Sequence, residues 1–228
     1  MIADKKEFGT GVLLMTGFWV VFAILLSPVF GGQNLLDYMD SLYNSISKKS
    51  AYYIPDMTKK AEGLKGANFS LKIKVDDKAS APRVAAMLRT SGATVEEGDG
   101  ELKVSGDLGV VLASAMADAE LVYANDGEAV KAKHNTEAKQ VMFDWHNTFS
   151  ALEKSFSKEN KFAESTTLNK AKTKAIETAY NYYGIKAESI KDKLVIVVLS
   201  LAGYVVYTMW FGFAILFMFE GWGLKLEH

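Results

Sequence analysis

Two stretches of the chain are apolar on every side of a helix, and the sequence between them carries the shorter periods of ordinary folded structure. Residues 11–30 run twenty positions without a charge. At about 1.5 Å per residue they reach roughly 30 Å, the thickness of a hydrocarbon core. Residues 194–219 extend the same way over about 39 Å and have to tilt or reach into the headgroups. Both are expected to be transmembrane helices. A signal peptide would have a shorter apolar run, and Ser27, Pro28, Val29 and Phe30 form no small-x-small cleavage pattern, so the first span is expected to remain as an anchor.

Between the spans, residues 69–75 alternate apolar and polar, the period of a strand with one buried face. Residues 80–92 have a capping Ser80, Pro82 in the first turn and Gly92 at the exit, and enclose Val84, Met87 and Leu88 on one face of a short helix. Two more strands, 94–97 and 101–105, are joined by the turn Gly98, Asp99, Gly100. Asp107 can cap a second helix bearing Leu108, Val111, Leu112 and Ala115, and residues 120–124 read as a fourth strand, with an extension of that helix as the alternative. The order β-α-β-β-α-β is that of a ferredoxin-like split βαβ domain.

From Glu128 the spacing turns helical. Ala138, Val141, Met142, Trp145, Phe149, Leu152 and Phe156 recur every three or four residues, as do Leu168, Ala171, Ala175, Ala179 and Tyr183. These predict two helices of about six turns, joined near 157–167 or running on as one bent helix. Residues 33–47 predict an amphipathic helix that leaves the bilayer and ends before Pro55. The Tyr-rich return at 180–193 is expected to pack against it.

The expected fold class is therefore an α+β membrane protein, with two transmembrane helices flanking a ferredoxin-like βαββαβ domain and a helical hairpin. Its segments are a tail (1–10), the first span (11–30), a juxtamembrane helix and linker (31–65), the α+β domain (66–125), the hairpin (126–185), a return segment (186–193), the second span (194–219) and a second tail (220–228). Lys5, Lys6 and Lys225 on the terminal side stand against Lys48, Lys186, Lys191 and Lys193 near the loop ends, but long loops cross a membrane largely regardless of charge, so both tails are expected in the cytoplasm. The central domain is then expected in the periplasm, with the chain integral to a bacterial inner membrane.

Charge and composition narrow the chemistry. The 26 basic and 27 acidic side chains nearly cancel, giving no bulk attraction to nucleic acid, and with no Cys there is no disulfide, thiolate zinc site or iron–sulfur cluster. The spans contain no His, Asp, Glu, Lys or Arg, so this chain is expected to supply no axial haem His, proton relay or buried ion site there. His134 and His146 lie about 18 Å apart along one helix with rings about 120° apart, unable to share a metal. Asp144 and His146 fall on different faces. Glu96, Glu97, Asp99, Glu101 and Asp107 gather at the hairpin as a cation site, a docking patch or, more simply, a charged edge that resists unwanted strand pairing. Lys170, Lys172 and Lys174 read as a solvated face. No phosphate loop or nucleophile elbow is present.

Without a catalytic set, the chain reads as a non-enzymatic, cofactor-free subunit that anchors and scaffolds a larger membrane complex of respiratory or transport type. Its expected partners are integral membrane subunits, the lipid bilayer and a soluble subunit on the domain side, with no nucleic acid. Candidate partner-packing residues are Ser200, Gly203, Tyr207 and Trp210 on one face of the second span, which would pack on the first span or on a partner protein, and Trp145, Phe149 and Phe156 on the hairpin. The short tails, two spans and intervening α/β region also resemble the layout of the polysaccharide co-polymerases, which implies self-assembly. The Pro-rich stretch of that family is missing, since the prolines are Pro28, Pro55 and Pro82.

Overall fold

A computed structural model of the protein describes residues 2–75, 78–98 and 101–224. The turn residues Asp99 and Gly100, and Lys225 and His228 of the tail, lie outside the described residues. The elements run α1 (Lys5–Leu25), α2 (Leu35–Ser50), α3 (Ile54–Gly63), β1 (Asn68–Lys74), α4 (Ala81–Thr90), β2 (Thr94–Glu97), β3 (Glu101–Asp107), α5 (Leu108–Tyr123), α6 (Gly127–His134), α7 (Ala138–Lys158), α8 (Phe162–Ala171), α9 (Glu177–Tyr182) and α10 (Ile190–Trp222). A 3₁₀ turn, Lys78–Ser80, precedes α4, and a π-helical turn, Lys172–Ile176, links α8 to α9. The protein is mostly helical, with a small antiparallel sheet of three strands among the described residues. Two of its helices, α1 and α10, are long and apolar enough to cross a membrane. The chain divides into two compact units, one from residues 1–47 with 187–228 and one from 48–186.

In the first unit α1 and α10 run antiparallel. The Ala3 and Asp4 N–H groups donate to the Gly221 carbonyl at 2.9 Å, which brings the two chain ends together. The Asp4 side chain caps α1, while Gly223, with φ of 88°, closes α10 as Leu224 N–H donates back to Phe219 O. Phe18 is 4% exposed and stacks against Tyr207 and Phe211, with ring centroids 4.5 and 4.9 Å away. The backbones meet closely at two glycines: a Cβ at Gly11 would lie 2.6 Å from the Met218 nitrogen, and one at Gly221 would run into the Phe8 backbone. Ser200, Tyr207, Ala214 and Gly221 fall seven apart, the repeat of a left-handed helix pair.

The second unit encloses one hydrophobic core. The sheet order is β1-β3-β2, with Leu71 opposite Val104 and Val95 opposite Val104 on the other side. Phe69, Leu71 and Ile73 turn inward, as the alternation of β1 requires. Asp107 ends β3 and caps α5, accepting from the Gly109 and Val110 N–H groups. The first-turn proline of α4 and the exit at Gly92, with φ of 89°, also stand as the sequence indicates.

Three expectations change. Residues 120–124 are not a strand: α5 continues to Tyr123, because Ala115, Met116, Ala119, Val122 and Tyr123 carry its buried stripe to the end. The ferredoxin-like β-α-β-β-α-β order thus lacks its last strand, and α7 packs beside β1, with Ser155 Oγ donating to the Lys72 carbonyl at 3.0 Å. Residues 54–63, taken as linker, form α3, with Pro55 in its first turn and Ile54, Met57 and Ala61 buried at helical spacing. His134 and His146, expected along one helix, stand on separate helices, α6 and α7, whereas the hairpin turn at residues 159–161, where Asn160 adopts φ of 60°, falls inside the expected join.

Candidate functional site

A cleft of about 910 Å³ opens in the central unit between the end of β1, the start of α4 and the length of α7. Its walls carry Lys72 and Lys74 from β1, Arg83 from α4, and Lys154 and Lys158 from α7, against two carboxylates, Glu101 and Asp144. Both carboxylates already face cations. Arg83 holds Asp144 through two bonds, Nε to Oδ2 at 2.6 Å and Nη2 to Oδ1 at 2.9 Å, and Gln140 donates to the same carboxylate at 3.0 Å. Asp144 is 2% exposed, so this planar pair is a rigid pin between α4 and α7. Glu101 lies 3.8 Å from Lys74. Lys72, Lys154 and Lys158 have no ion-pair partner among the described residues, so among those residues the basic side chains of the cleft outnumber its carboxylates. Phe143 stands half exposed on its lining.

A second polar cluster is sealed inside the same unit. Asp118, midway along α5, is fully buried and accepts from Lys133 Nζ at 2.7 Å, His134 Nε2 at 2.8 Å and Trp145 Nε1 at 3.0 Å. Burial pushes its carboxyl up, but the bonds from His134, Lys133 and Trp145 outweigh this and hold it below the usual carboxylate range. Lys133 extends to Ser114 Oγ and from there to Ser91. His134 Nδ1 is buried with no hydrogen-bond partner. No group of three metal-capable side chains gathers here or elsewhere among the described residues. The cluster ties α5, α6 and α7 together.

A third cluster closes the chain entry and exit of the unit. Lys48 is 3% exposed and its Nζ donates to the carbonyls of Tyr182 and Ile185 and to Asn125 Oδ1 at 3.1, 2.7 and 3.2 Å. The Tyr123 hydroxyl donates to the Lys48 carbonyl. With only neutral acceptors around it, burial lowers the Lys48 pKa from its ordinary value. Asn125, in the left-handed conformation with φ of 68°, also receives the Gly184 N–H at 2.7 Å.

No family model, curated protein or solved structure matches the chain.

The residues singled out in the sequence separate into two groups. On α10, Tyr207 stacks on Phe18, and Trp210 Nε1 donates to the Leu14 carbonyl of α1 at 3.0 Å. Ser200 bonds the Tyr43 hydroxyl of α2 at 2.7 Å, and Gly203 faces open space. Trp145, Phe149 and Phe156 are 0, 0 and 2% exposed and fill the interior of the central unit, so none offers a surface to another protein. Asp144, Trp145 and His146 diverge to Arg83, to Asp118 and to Glu177. The hairpin carboxylates are paired, Glu96 with Lys103 and Glu97 with Arg89, while Lys172 pairs with Glu153. The cleft, the Asp118 cluster and the Lys48 cluster were not foreseen, because each assembles side chains from elements remote in sequence. The alternate lysines of β1 and the four-residue spacing of Lys154 and Lys158 were the available signal for the cleft.

Proposed function

We propose that the chain is a non-catalytic, membrane-anchored docking subunit of a larger assembly. The α1–α10 pair lies in the bilayer, both tails face the cytoplasm, and the 48–186 unit stands in the bacterial periplasm and holds a partner through its basic cleft. The carrying observation is the outward surface of the helix pair, where Leu13, Val195 and Tyr204 are 72, 72 and 69% exposed on helices with no Asp, Glu, Lys, Arg or His in their apolar cores. Such a surface is stable against lipid or against other apolar helices, and unstable in water. The β1-β3-β2 order, with α4 between β1 and β2 and α5 following β3, is what a ferredoxin-like plan leaves when its last strand is replaced by helix, and this supports reading the central unit as that variant.

The test is extraction in a gentle detergent followed by a native gel and mass spectrometry of the band. Co-migration with other integral subunits supports the proposal. A large homo-oligomer favours instead the self-assembling layout of the polysaccharide co-polymerases, and a chain released from membranes by alkaline carbonate ends both readings. Because the protein has no Cys, a single Cys at Gly98 reports sidedness: labelling of intact cells by a reagent that crosses only the outer membrane is expected, and labelling only after lysis reverses the orientation.

A further inference from the structure

We propose that the cleft beside β1 receives an extended, acidic segment of a partner protein, which pairs with the open end of β1 at Lys72 and Lys74, past the point where Ser155 of α7 covers the strand edge. The proposal rests on the docking role argued above.

The pairing of β3 fixes which backbone groups are free. Gly98 N–H donates to the Glu101 carbonyl at 2.9 Å, so Glu101, Lys103 and Ser105 turn their backbone groups toward β2. Leu108 N–H donates to the Ala67 carbonyl at 3.0 Å, so the residues bonding β3 to β1 are those opposite Gly106, Val104 and Leu102, namely Phe69, Leu71 and Ile73. The alternation leaves Ser70, Lys72 and Lys74 with their N–H and C=O groups turned away from the sheet. Ser155 Oγ reaches the Lys72 carbonyl from that side. The N–H of Lys72 and both backbone groups of Lys74 have no protein partner among the described residues, and both residues line the cleft. An open strand edge is a template for another strand.

Charge and spacing select the occupant. Lys72 and Lys74, two residues apart on a strand, are separated by about 7 Å. Lys154 and Lys158, one turn apart on α7, are separated by about 6 Å along the helix. Two rows of lysines with that repeat match carboxylates on every second residue of an extended chain, which also recur at about 7 Å. A compact phosphate group would call for donors converging on one point, and the Arg83 guanidinium of the lining is already held by Asp144.

The probe is a fluorescein-labelled hexapeptide of alternating Glu and Val, titrated by anisotropy into the full chain in detergent micelles. Saturable binding is expected, weakened about tenfold by the double substitution Lys154→Glu and Lys158→Glu, which are both on the cleft wall and outside the core. The same peptide with every backbone amide N-methylated keeps its charges and loses its strand donors, and is expected to bind at least as weakly. Absence of saturable binding, equal binding of the N-methylated peptide, or displacement by tripolyphosphate where sodium chloride of equal ionic strength does not displace, each overturns the proposal. Native gels of the same double variant separate the two readings. If the peptide fails to bind while the native complex persists, the cleft is wrong and the anchoring role stands; if the peptide binds to a chain that purifies without partners, the cleft stands and the anchoring role falls.

Discussion

Replacing Asp118 with Asn keeps the shape of the side chain and removes the charge that Lys133 and His134 face. Breaking one side of a buried charged network leaves its partners desolvated, a loss of about 3–5 kcal/mol where both ends are sealed. Lys133 is a third exposed and can turn to water, so a loss of about 2–3 kcal/mol is expected, read as a lower melting temperature of the central unit. The pH dependence has a definite sign. The native Asp118 carboxyl is held below its unfolded value of about 3.9, so its contribution is complete above that pH and disappears as the pH falls through the native value. The Asn variant should therefore show a flatter loss of stability on acidification than the natural protein. An equally steep acid limb in both would remove the charge network as its cause. In the sequence Asp118 sits in an Ala-rich helix and looks solvent-facing. Its partners arrive fifteen and sixteen residues later from α6, and nothing local announces them.

Local signals predicted the elements well where one period dominated. β1 was legible because its alternation has no exception, and α7 because seven apolar residues share one stripe. Residues 120–124 misled because Glu120, Leu121, Val122, Tyr123 and Ala124 suit a strand in isolation, whereas the stripe of α5 had already committed Val122 and Tyr123 to the core. The pairing of α1 with α10 was half legible: Tyr207 and Trp210 were recognised, but the glycines that allow close approach, Gly11 and Gly221, look like any others in an apolar helix. Their role is testable without native cysteines to interfere. Cysteines at Phe18 and Phe211, whose rings are 4.9 Å apart, should be joined by a short bifunctional maleimide in the otherwise natural chain. Adding Gly221→Val, whose side chain would run into the Phe8 backbone, should cut the cross-linked fraction several-fold; an unchanged yield would mean that the helices meet elsewhere.

At the scale of the whole molecule, the division of labour between the two units rests on where the hydrophobic core ends. Every residue of the large buried cluster, from Ile54 to Ala179, belongs to the 48–186 unit, and so do the Asp118 and Lys48 clusters that pin its helices. A unit that closes its own core and satisfies its own chain ends has what an independent domain requires. The helix pair has the opposite character: its packed seam is narrow and its outward faces are apolar. Residues 48–186 expressed alone are therefore expected to be a soluble monomer with a single cooperative melting transition, while the full chain needs detergent to remain dispersed. The Lys48 amine at the first position of that fragment is what joins the ends, through Tyr182 and Ile185, so Lys48→Ala in the fragment should lower its melting temperature, by an amount matching about 1–3 kcal/mol for the lost bonds. A fragment that aggregates, or melts without cooperativity, would show that the apolar helices complete the fold of the central unit as well as anchor it.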